Sequence, residues 1–524
     1  MNNVHNMMKF IRGTAGVAAV WFGMTVPLIV TSVGMSVDLA QSYLVRERLT
    51  HALDAAALAA TASGSADDTF LEDKVNDFVD ANYPDDVIGY RLDVEVDNSD
   101  ETLFVSATAR LDTSFMKIFG METVDVAVES EVTRIIGSNI ELALVLDISN
   151  SMNSLNKIND LKDAAESLVD IVVYENQEDY YSKVAIVPYG VAVNVGAYAD
   201  SVRGAITQPK TITGATRANP VVITSAAHGF VNGQRVYING VSGMTQINNR
   251  SFVVAGRTAN TFQLSGINGT SYSTFTGTAQ AHCTTAGCSY YYFQSPSGNW
   301  NTFPSSTCVS ERTGANAYTD VPPSTTLVGR NYASPTNNPC LASQITPLTS
   351  DRDTLFARIN ALAASGSTGG QVGVGWGWYM LAPDWGYLWA DDESEPADYG
   401  TADLHKIVVL MTDGEYNSPY CNGVIAADAT TGSGATADHI NCNATNGGTS
   451  YTQAEAMCDA MKDDGKEIEI YTIGFRVDAY PRGEQLMEYC ASDASHFFTA
   501  DNGEELQEAF EQIARNVKSM YLSN

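Results

Sequence analysis

Long apolar runs and short amphipathic runs alternate along the chain, and their spacing predicts its elements. No residue from Gly13 to Val37 is charged. As a helix, this run of 25 residues would reach about 38 Å, enough to cross a hydrocarbon core of about 30 Å. High helix propensity continues to about Ala62, which predicts one long rod. A cleaved signal peptide has a shorter apolar core, so we interpret the run as a retained membrane anchor.

Beyond the rod, the pattern predicts a small α+β unit over residues 63–136. The stretch FLEDKVNDFVDANY has the period of an amphipathic helix. The runs RLDVEVD, TLFVSATARL and VDVAVESEVTRI alternate apolar and polar residues as half-buried strands do, with SFMKIFG as a helical turn between the last two.

Residues 139–520 show apolar strands that alternate with helices. ELALVLD, KVAIVPY, KIVVLMTD and IEIYTIGF predict strands of one mostly parallel, doubly wound sheet of the α/β class. Residues 200–345 interrupt this pattern with a β-rich insertion that is rich in Gly, Thr, Ser and Asn. Its alternating runs and turn signals predict an all-β module. Residues 211–280 resemble the first catalytic-cysteine half-domain of ubiquitin-activating enzymes, without their adenylation or thioester parts, and the resemblance implies a small β-barrel-like module.

Charge and cysteines limit the partners and the compartment. The formal net charge of -32 repels phosphate backbones, so we expect no nucleic-acid partner. All eight cysteines follow residue 282, and in an exported chain they indicate disulfides. Zinc binding is the alternative, and its one candidate group of ligands is His282, Cys283 and Cys288. Consecutive helices on one face of the sheet favour a bridge between Cys458 and Cys490, and proximity in sequence gives the remaining pairs: Cys283–Cys288, Cys308–Cys340 and Cys421–Cys442.

The orientation of the anchor depends on basic residues and cysteines. Lys9 and Arg12 precede the apolar run, whereas Arg46 and Arg48 follow it, so the positive-inside rule leaves the orientation open. Disulfides require an oxidising compartment. We therefore expect a single-pass inner-membrane protein with the bulk of the chain in the periplasm.

The candidate chemistry begins at ELALVLDISNSMNSL, where an apolar strand ends in Asp147, followed by Ser149 and Ser151. These are ordinary turn residues, and their oxygens are also ligands for a hard cation. Thr368 stands in a loop before a predicted helix, and Asp413 ends another apolar strand. Because ligands bind at the carboxyl ends of strands in such sheets, we expect these five side chains to converge. An oxygen-only set of this kind suits Mg²⁺.

The pattern D-x-S-x-S, a later loop threonine and a strand-end Asp-Gly resemble the von Willebrand factor type A domain with its metal-ion-dependent adhesion site. The resemblance implies that Ser149 and Ser151 bind the metal directly. Thr368 would do so directly or through water, and Asp147 and Asp413 mainly through water. The cation would be Mg²⁺, with Mn²⁺ and Ca²⁺ as alternatives, and an acidic residue of a protein partner would complete its coordination. We expect Asp147 at a solvent-facing strand end, where its removal leaves the fold intact.

Residues 10–62 resemble the N-terminal segment of TadE/TadG-like tight-adherence pilus-assembly proteins. Proteins of the TadG type pair this anchor with a type A domain, which here covers residues 139–520 outside the insertion. The resemblance implies a non-enzymatic pilus-assembly or adhesion factor. Pilin-like relatives carry a glutamate near the start of the apolar segment, whereas this chain has no acidic residue before Asp38. That departure argues against processing like a prepilin.

Two other functions remain as alternatives. One is a surface-exposed metal-dependent binding protein unrelated to pili. The other is a metal-dependent hydrolase, which the residues oppose: phosphatases with an aspartate nucleophile need a second aspartate two residues on, where Ser149 stands. Neither H-E-x-x-H nor G-x-S-x-G occurs. His405 and His496 flank predicted strands, and we interpret them as edge residues rather than catalysts.

Overall fold

The computed structural model describes residues 14–63, 68–84, 88–98, 102–133, 138–178, 180–463 and 465–519. The predicted anchor charges Lys9 and Arg12 lie outside them. The chain forms two compact units, of which the first comprises residues 1–137 with 174–180 and 519–524. The second comprises residues 138–173 and 181–518.

The first unit packs two helices against a three-stranded antiparallel sheet. In chain order its elements are α1 (Thr14–Thr61), α2 (Asp68–Asn82), β1 (Tyr90–Asn98), β2 (Thr102–Asp112) and β3 (Thr123–Thr133). β2 is the central strand, and its alternate residues are buried against the helices, as a period of two predicts. Leu49 and Leu53 of α1 share this core with Val105 of β2. Among the described residues, α1 is the one helix long and apolar enough to cross a membrane.

The second unit begins with the elements that carry the candidate site. Before the insertion they are β4 (Asn139–Asp147), α3 (Lys157–Val172), β5 (Ser182–Tyr189), β6 (Val193–Asn194) and α4 (Ala199–Arg203). The inserted segment forms β7 (Lys210–Ile212), β8 (Gly214–Ala215), β9 (Val222–Thr224), β10 (Arg235–Asn239), β11 (Arg250–Ala255), β12 (Thr261–Leu264), β13 (Ala279–Cys283), β14 (Tyr290–Gln294), β15 (Trp300–Ser310) and β16 (Gly329–Tyr332).

The elements after the insertion complete the second unit. They are β17 (Thr346–Thr349), α5 (Arg352–Asn360), α6 (Gly370–Tyr379), β18 (Leu404–Thr412), β19 (Tyr420–Cys421), β20 (Val424–Ile425), α7 (Ser450–Met461), β21 (Glu469–Phe475), α8 (Pro481–Cys490), β22 (Phe497–Ala500) and α9 (Gly503–Ser519). Strands and helices alternate here as the sequence predicts, and the α/β class is confirmed.

A ten-stranded sheet is the centre of this unit. Its main path runs β14–β15–β6–β5–β4–β18–β21–β22, with β16 paired to β15 and β17 paired to β5. The neighbours from β5 through β4, β18 and β21 to β22 all pair in parallel. β14, β15 and β16 of the inserted segment therefore extend the same sheet in antiparallel fashion.

Residues 210–283 form a separate seven-stranded antiparallel sheet in the order β7–β13–β10–β11–β12–β9–β8. Its two edge strands, β7 and β8, are consecutive in the chain and flank Thr213. Both edges of the sheet therefore meet at one residue. Buried apolar side chains that include Ile238, Phe252 and Phe262 form the core of this segment.

Small residues let α6 lie close to the parallel strands. A Cβ atom at Gly373 would lie 2.6 Å from the ring of the buried Tyr189, and one at Gly377 would lie 2.5 Å from Val145 of β4. Real Cβ atoms do not approach other atoms so closely, so a larger residue would push the helix off the sheet. This explains Gly373 and Gly377 of the GQVGVGWGWY segment.

The four predicted disulfides are all present, with Cα atoms of Cys458 and Cys490 5.3 Å apart. The zinc alternative is wrong, because Cys283 and Cys288 bond to each other. The His282 imidazole instead contacts two neutral side-chain oxygens, 2.6 and 3.1 Å away.

His496 precedes β22, as predicted, whereas His405 is the second residue of β18, and both face Glu469 at the start of β21. Their imidazole nitrogens lie 3.8 and 3.7 Å from its carboxylate oxygens. Burial raises the pKa of Glu469, but the two imidazoles outweigh that effect and hold the pKa at about 2. The carboxylates of Glu469 and Asp493 raise the pKa of His496. These contacts are ion pairs at the strand ends opposite the candidate site.

Candidate metal centre

Parallel pairing brings the two predicted aspartates to one edge of the sheet. Asp147 is the last residue of β4, and Asp413 follows the last residue of β18. The strands are in register, with Leu146 opposite Met411. Two carboxylates far apart in sequence therefore lie side by side at the carboxyl ends of neighbouring strands.

A continuous chain of hydrogen bonds joins four of the five predicted residues. The backbone N–H of Ser149 donates to Asp147 Oδ1 over 2.8 Å. The hydroxyl oxygens of Ser149 and Ser151 are 2.8 Å apart, and Ser151 Oγ donates to Asp413 Oδ1 over 2.6 Å. A 3₁₀ turn at Asn150–Asn153 folds the second serine back toward the first. The spacing of one residue between the serines allows their hydroxyls to meet, while that of Ser151 reaches Asp413.

Thr368, the fifth residue, is held by its backbone between the loops that carry the other four. On one side, Asn150 N–H donates to Gly366 O and Ser365 N–H donates to Ile148 O, each over 2.8 Å. On the other side, Asn417 N–H donates to Thr368 O over 2.9 Å. The three loops at this edge of the sheet are therefore tied into one structure.

Asn417 completes this connection, although the sequence analysis did not single it out. Its side-chain oxygen accepts a hydrogen bond from the Thr368 N–H over 3.1 Å. Asn417 therefore bonds to both the N–H and the C=O group of Thr368. The signal in the sequence is weak, because an asparagine three residues after a strand-end Asp-Gly is also an ordinary turn residue.

Asp147 is not at a solvent-facing strand end, so the expected reason for its removal to leave the fold intact is wrong. Its side chain is fully buried. Oδ2 accepts a hydrogen bond from Thr412 Oγ1 over 2.8 Å, while Oδ1 accepts from Ser149. The loop after β4 folds over the carboxylate, so replacing Asp147 would leave buried donors unpaired.

Burial, with the neighbouring charge of Asp413 as the second cause, raises the pKa of Asp147 to about 7. Two carboxylates confined in one buried place disfavour ionisation of both, and a nearby positive charge relieves that repulsion. A positive charge is therefore electrostatically favoured at this site.

The Lys157 ammonium supplies part of that positive charge, a role that was not predicted from the sequence. Its ammonium lies 2.8 Å from Asp413 Oδ2, and the two side chains are 8% and 0% exposed. The lysine opens α3 after Leu155 and Asn156, which both adopt positive φ angles of 55° and 64°. A cation in the first turn opposes the helix dipole. That conflict was the signal in the sequence for a buried counter-ion.

The donor chemistry fits a hard cation. Hydroxyl and carboxylate oxygens are the ligands that Mg²⁺ takes in proteins. Ser149 and Ser151 present two hydroxyls next to two carboxylates, which one ammonium balances only in part. Among the residues that the structure describes, no group of three or more His, Cys, Asp and Glu side chains could hold a metal. A softer metal with nitrogen or sulfur ligands therefore has no comparable cluster there.

Residues 16–64 match the TadE/G-like Flp pilus-assembly family. The N-terminal segment therefore resembles that family as the sequence predicted. No curated protein matches the chain.

Several solved structures are remotely similar to the chain. The pilus adhesin SpaC from Lactobacillus rhamnosus GG is 11% identical with a TM-score of 0.30, over 84% of this chain and 36% of SpaC. The vWF domain of the type V pili tip protein Mfa5 from Porphyromonas gingivalis is 12% identical with a TM-score of 0.34, over 74% and 98%. The adhesive tip pilin GBS104 from Group B Streptococcus agalactiae is 11% identical with a TM-score of 0.29, over 72% and 100%. This chain thus covers 36% of the SpaC length.

Proposed function

We propose that this protein is a membrane-anchored, non-enzymatic pilus-assembly or adhesion factor that binds a protein partner through a metal-ion-dependent adhesion site. The observation that carries the proposal is the hydrogen-bonded chain from Asp147 through Ser149 and Ser151 to Asp413. Turn residues alone have no need to join two strand ends this way. The match of residues 16–64 to a pilus-assembly family supports the pilus association.

We further propose that the second unit is a type A domain, doubly wound around its parallel strands. Its strand order, β5–β4–β18–β21–β22, supports this assignment. Ligands bind in such sheets at the carboxyl ends of the strands, which is where Asp147 and Asp413 lie.

In this proposal Ser149 and Ser151 would hold Mg²⁺ through their hydroxyls. Thr368 would bind it directly or through water, and the two aspartates mainly through water. The bound cation supplies a coordination position for a carboxylate of the partner. Asp147 positions Ser149 by accepting its N–H, and Asp413 positions Ser151 by accepting its hydroxyl.

The hydrolase alternative has no support from the geometry of Asp147. Both of its oxygens accept hydrogen bonds and its side chain is fully buried. A nucleophilic carboxylate must reach the substrate. This one holds the loop in place instead.

The test is a calorimetric titration of Mg²⁺ into the full chain in detergent micelles. Ser151→Ala removes an exposed hydroxyl and should weaken binding by about 10–100-fold, the loss typical of disturbed metal surroundings. Ser154→Ala, an exposed serine in the same loop, is the matched control and should bind as the wild type does. Equal heats from the wild type and Ser151→Ala would show that the serines are turn residues. If the site binds Mg²⁺, capture of a protein partner should require Mg²⁺ and fail in EDTA.

We also propose that the bulk of the chain lies in the periplasm. Four disulfides support an oxidising compartment. Protease added to spheroplasts should degrade most of the chain. Full protection of the chain would contradict this orientation.

A further inference from the structure

The turn between β2 and β3, residues 114–121 (SFMKIFGM), exposes several large apolar side chains. Ile118 is 68% and Phe119 57% exposed, and Phe115 and Met121 are exposed beside them. Hairpin turns are ordinarily built of Gly, Asn, Asp, Ser and Pro. Clustered exposed apolar residues mark a surface that contacts an apolar partner. We call residues 114–121 the apolar turn.

Asp38 of α1 fixes the apolar turn to the helix. Its buried carboxylate accepts hydrogen bonds from the backbone N–H groups of Ser114, Phe115 and Met116, over 3.0, 2.8 and 2.6 Å. These N–H groups lie at the beginning of a 3₁₀ turn, Met116–Phe119. A carboxylate is the group that such a helix start prefers. The turn is therefore a fixed part of the first unit rather than a loose loop.

A second contact places the apolar turn at the end of the uncharged run. Gly34 lies one helical turn before Asp38, and a Cβ atom there would lie 2.6 Å from the ring of Phe115. Phe115 therefore packs directly against the backbone of α1. The run that is long enough to cross a membrane ends at Val37, so the apolar turn sits at the level where that run ends.

The neighbouring surface of α1 has the same character. Phe22, Leu28 and Val33 are all exposed apolar residues, at 72%, 70% and 59%. A span of about 20 residues crosses the hydrocarbon core. The exposed apolar side chains of the turn thus lie next to the end of an exposed apolar stretch of α1. Lys117, within the turn, is exposed and would face the anionic or zwitterionic headgroups.

We infer that the apolar turn inserts into the same lipid bilayer that α1 crosses, in the leaflet next to the folded units. The inference rests on the membrane anchor of the proposed function and is independent of the metal site. The turn and the helix then form two attachments joined by Asp38. This arrangement fixes the depth of α1 and the orientation of the first unit on the membrane.

Site-specific fluorescence of the full chain in proteoliposomes tests this inference. All eight native cysteines are paired, so Ile118→Cys offers one thiol for an environment-sensitive dye. Asp97→Cys is the matched control. Asp97 pairs with Phe104, eight residues along β2 from its end at the apolar turn, or about 27 Å at 3.4 Å per residue. Phe22→Cys reports on the anchor itself.

We expect blue-shifted emission at position 118 and quenching by nitroxide-labelled lipids at least about twofold stronger than at position 97, as contact with the hydrocarbon boundary requires. Equal, weak quenching at both positions would overturn the inference. A blue shift at position 118 without lipid quenching would also overturn it and indicate a second copy or another protein. Absence of quenching at position 22 would instead remove the anchor on which the inference rests.

The contact between Asp38 and the apolar turn provides a second measurement. Asp38→Ala removes the acceptor for three backbone N–H groups, so quenching at position 118 should fall toward the value at position 97. Quenching at position 22 should stay unchanged, since α1 still crosses the bilayer. Unchanged quenching at position 118 would show that Asp38 does not hold the turn at the membrane.

Discussion

Replacing Lys157 with methionine tests whether the surroundings of Asp413 are built to hold positive charge. The ammonium lies 2.8 Å from Asp413 Oδ2, and both side chains are buried. Removing one partner of a buried ion pair costs about 3–5 kcal/mol, because the other charge is left uncompensated. Ser151 still donates to Asp413 Oδ1. We therefore expect the lower value, about 3 kcal/mol, for the metal-free protein.

The same substitution should strengthen Mg²⁺ binding. A divalent cation at the serine hydroxyls would be repelled by the ammonium, because Ser151 and Lys157 both bond to the Asp413 carboxylate. The long side chain of Lys157 can turn away from the cation and avoid most of this repulsion. We expect the remainder to be at least about 1.4 kcal/mol, which corresponds to tenfold tighter binding in the variant.

Thermal unfolding of the full chain in micelles, followed by tryptophan fluorescence, measures the first effect. In EDTA, Lys157→Met should unfold roughly 5–10 °C below the wild type, and saturating Mg²⁺ should restore part of the loss. Calorimetry measures the second effect. Lys162→Met, on the same helix outside the site, should change the unfolding free energy by less than about 0.5 kcal/mol.

Two results would refute this reasoning. A Lys157→Met protein that is destabilised but unaffected by Mg²⁺ would show that the lysine neutralises a purely structural aspartate. An Mg²⁺ affinity equal to that of the wild type would show that the cation binds elsewhere.

Contacts elsewhere in the second unit give three more predictions. His496→Gln should lower stability more at about pH 5.5 than at about pH 8.5, because Glu469 raises the pKa of His496 and this stabilisation is lost as pH rises through the raised pKa. Replacing Cys458 and Cys490 by alanine should cost about 3.5–4 kcal/mol, since their bridge closes a loop of 32 residues. Gly373→Ala should cost about 1–3 kcal/mol, because its methyl group would overlap a buried tyrosine ring. Thermal and urea unfolding measure all three.

Each of these three predictions has a control. An equal loss of stability at both pH values would contradict the role of charge at His496. Removing the Cys283–Cys288 bridge, with a sequence separation of 5, should cost only about 2 kcal/mol. A methyl group at Gly375 would meet the flexible Met457 sulfur at 3.1 Å. Gly375→Ala should therefore be close to neutral, since the better helix propensity of alanine offsets mild crowding.

The sequence predicted that Asp147 and Asp413 lie at one edge of the sheet, because the rules involved are local. An apolar run that ends in an aspartate shows where a parallel strand stops, and the carboxyl ends of neighbouring strands meet at one edge. Asp147 and Asp413 follow that rule. Because one residue separates Ser149 from Ser151, their hydroxyl groups can contact each other, and that of Ser151 reaches Asp413. None of these inferences required knowing which loops cover the strand ends.

The environment of the same residues could not be predicted in this way. Burial of Asp147 depends on Thr412 and on the loop that follows β4, which close over it only in the folded chain. The contact between Asp38 and the apolar turn joins residues 76 to 78 positions apart. Hydrophobic periodicity describes which side of an element is buried. It does not describe which polar group a buried carboxylate will meet.

Lys157 shows what such a contact does for a charged site. A lysine in the first turn of a helix loses about 0.3–1 kcal/mol against the helix dipole, so a favourable partner must offset that cost. Asp413, fully buried and 2.8 Å away, is that partner. Without the lysine, two buried carboxylates would repel each other and weaken the metal-free fold. With it, the repulsion is reduced in the metal-free fold. In the proposed metal site, a divalent cation would compete with this ammonium for Asp413, so the lysine as well as the oxygen ligands would set the metal affinity.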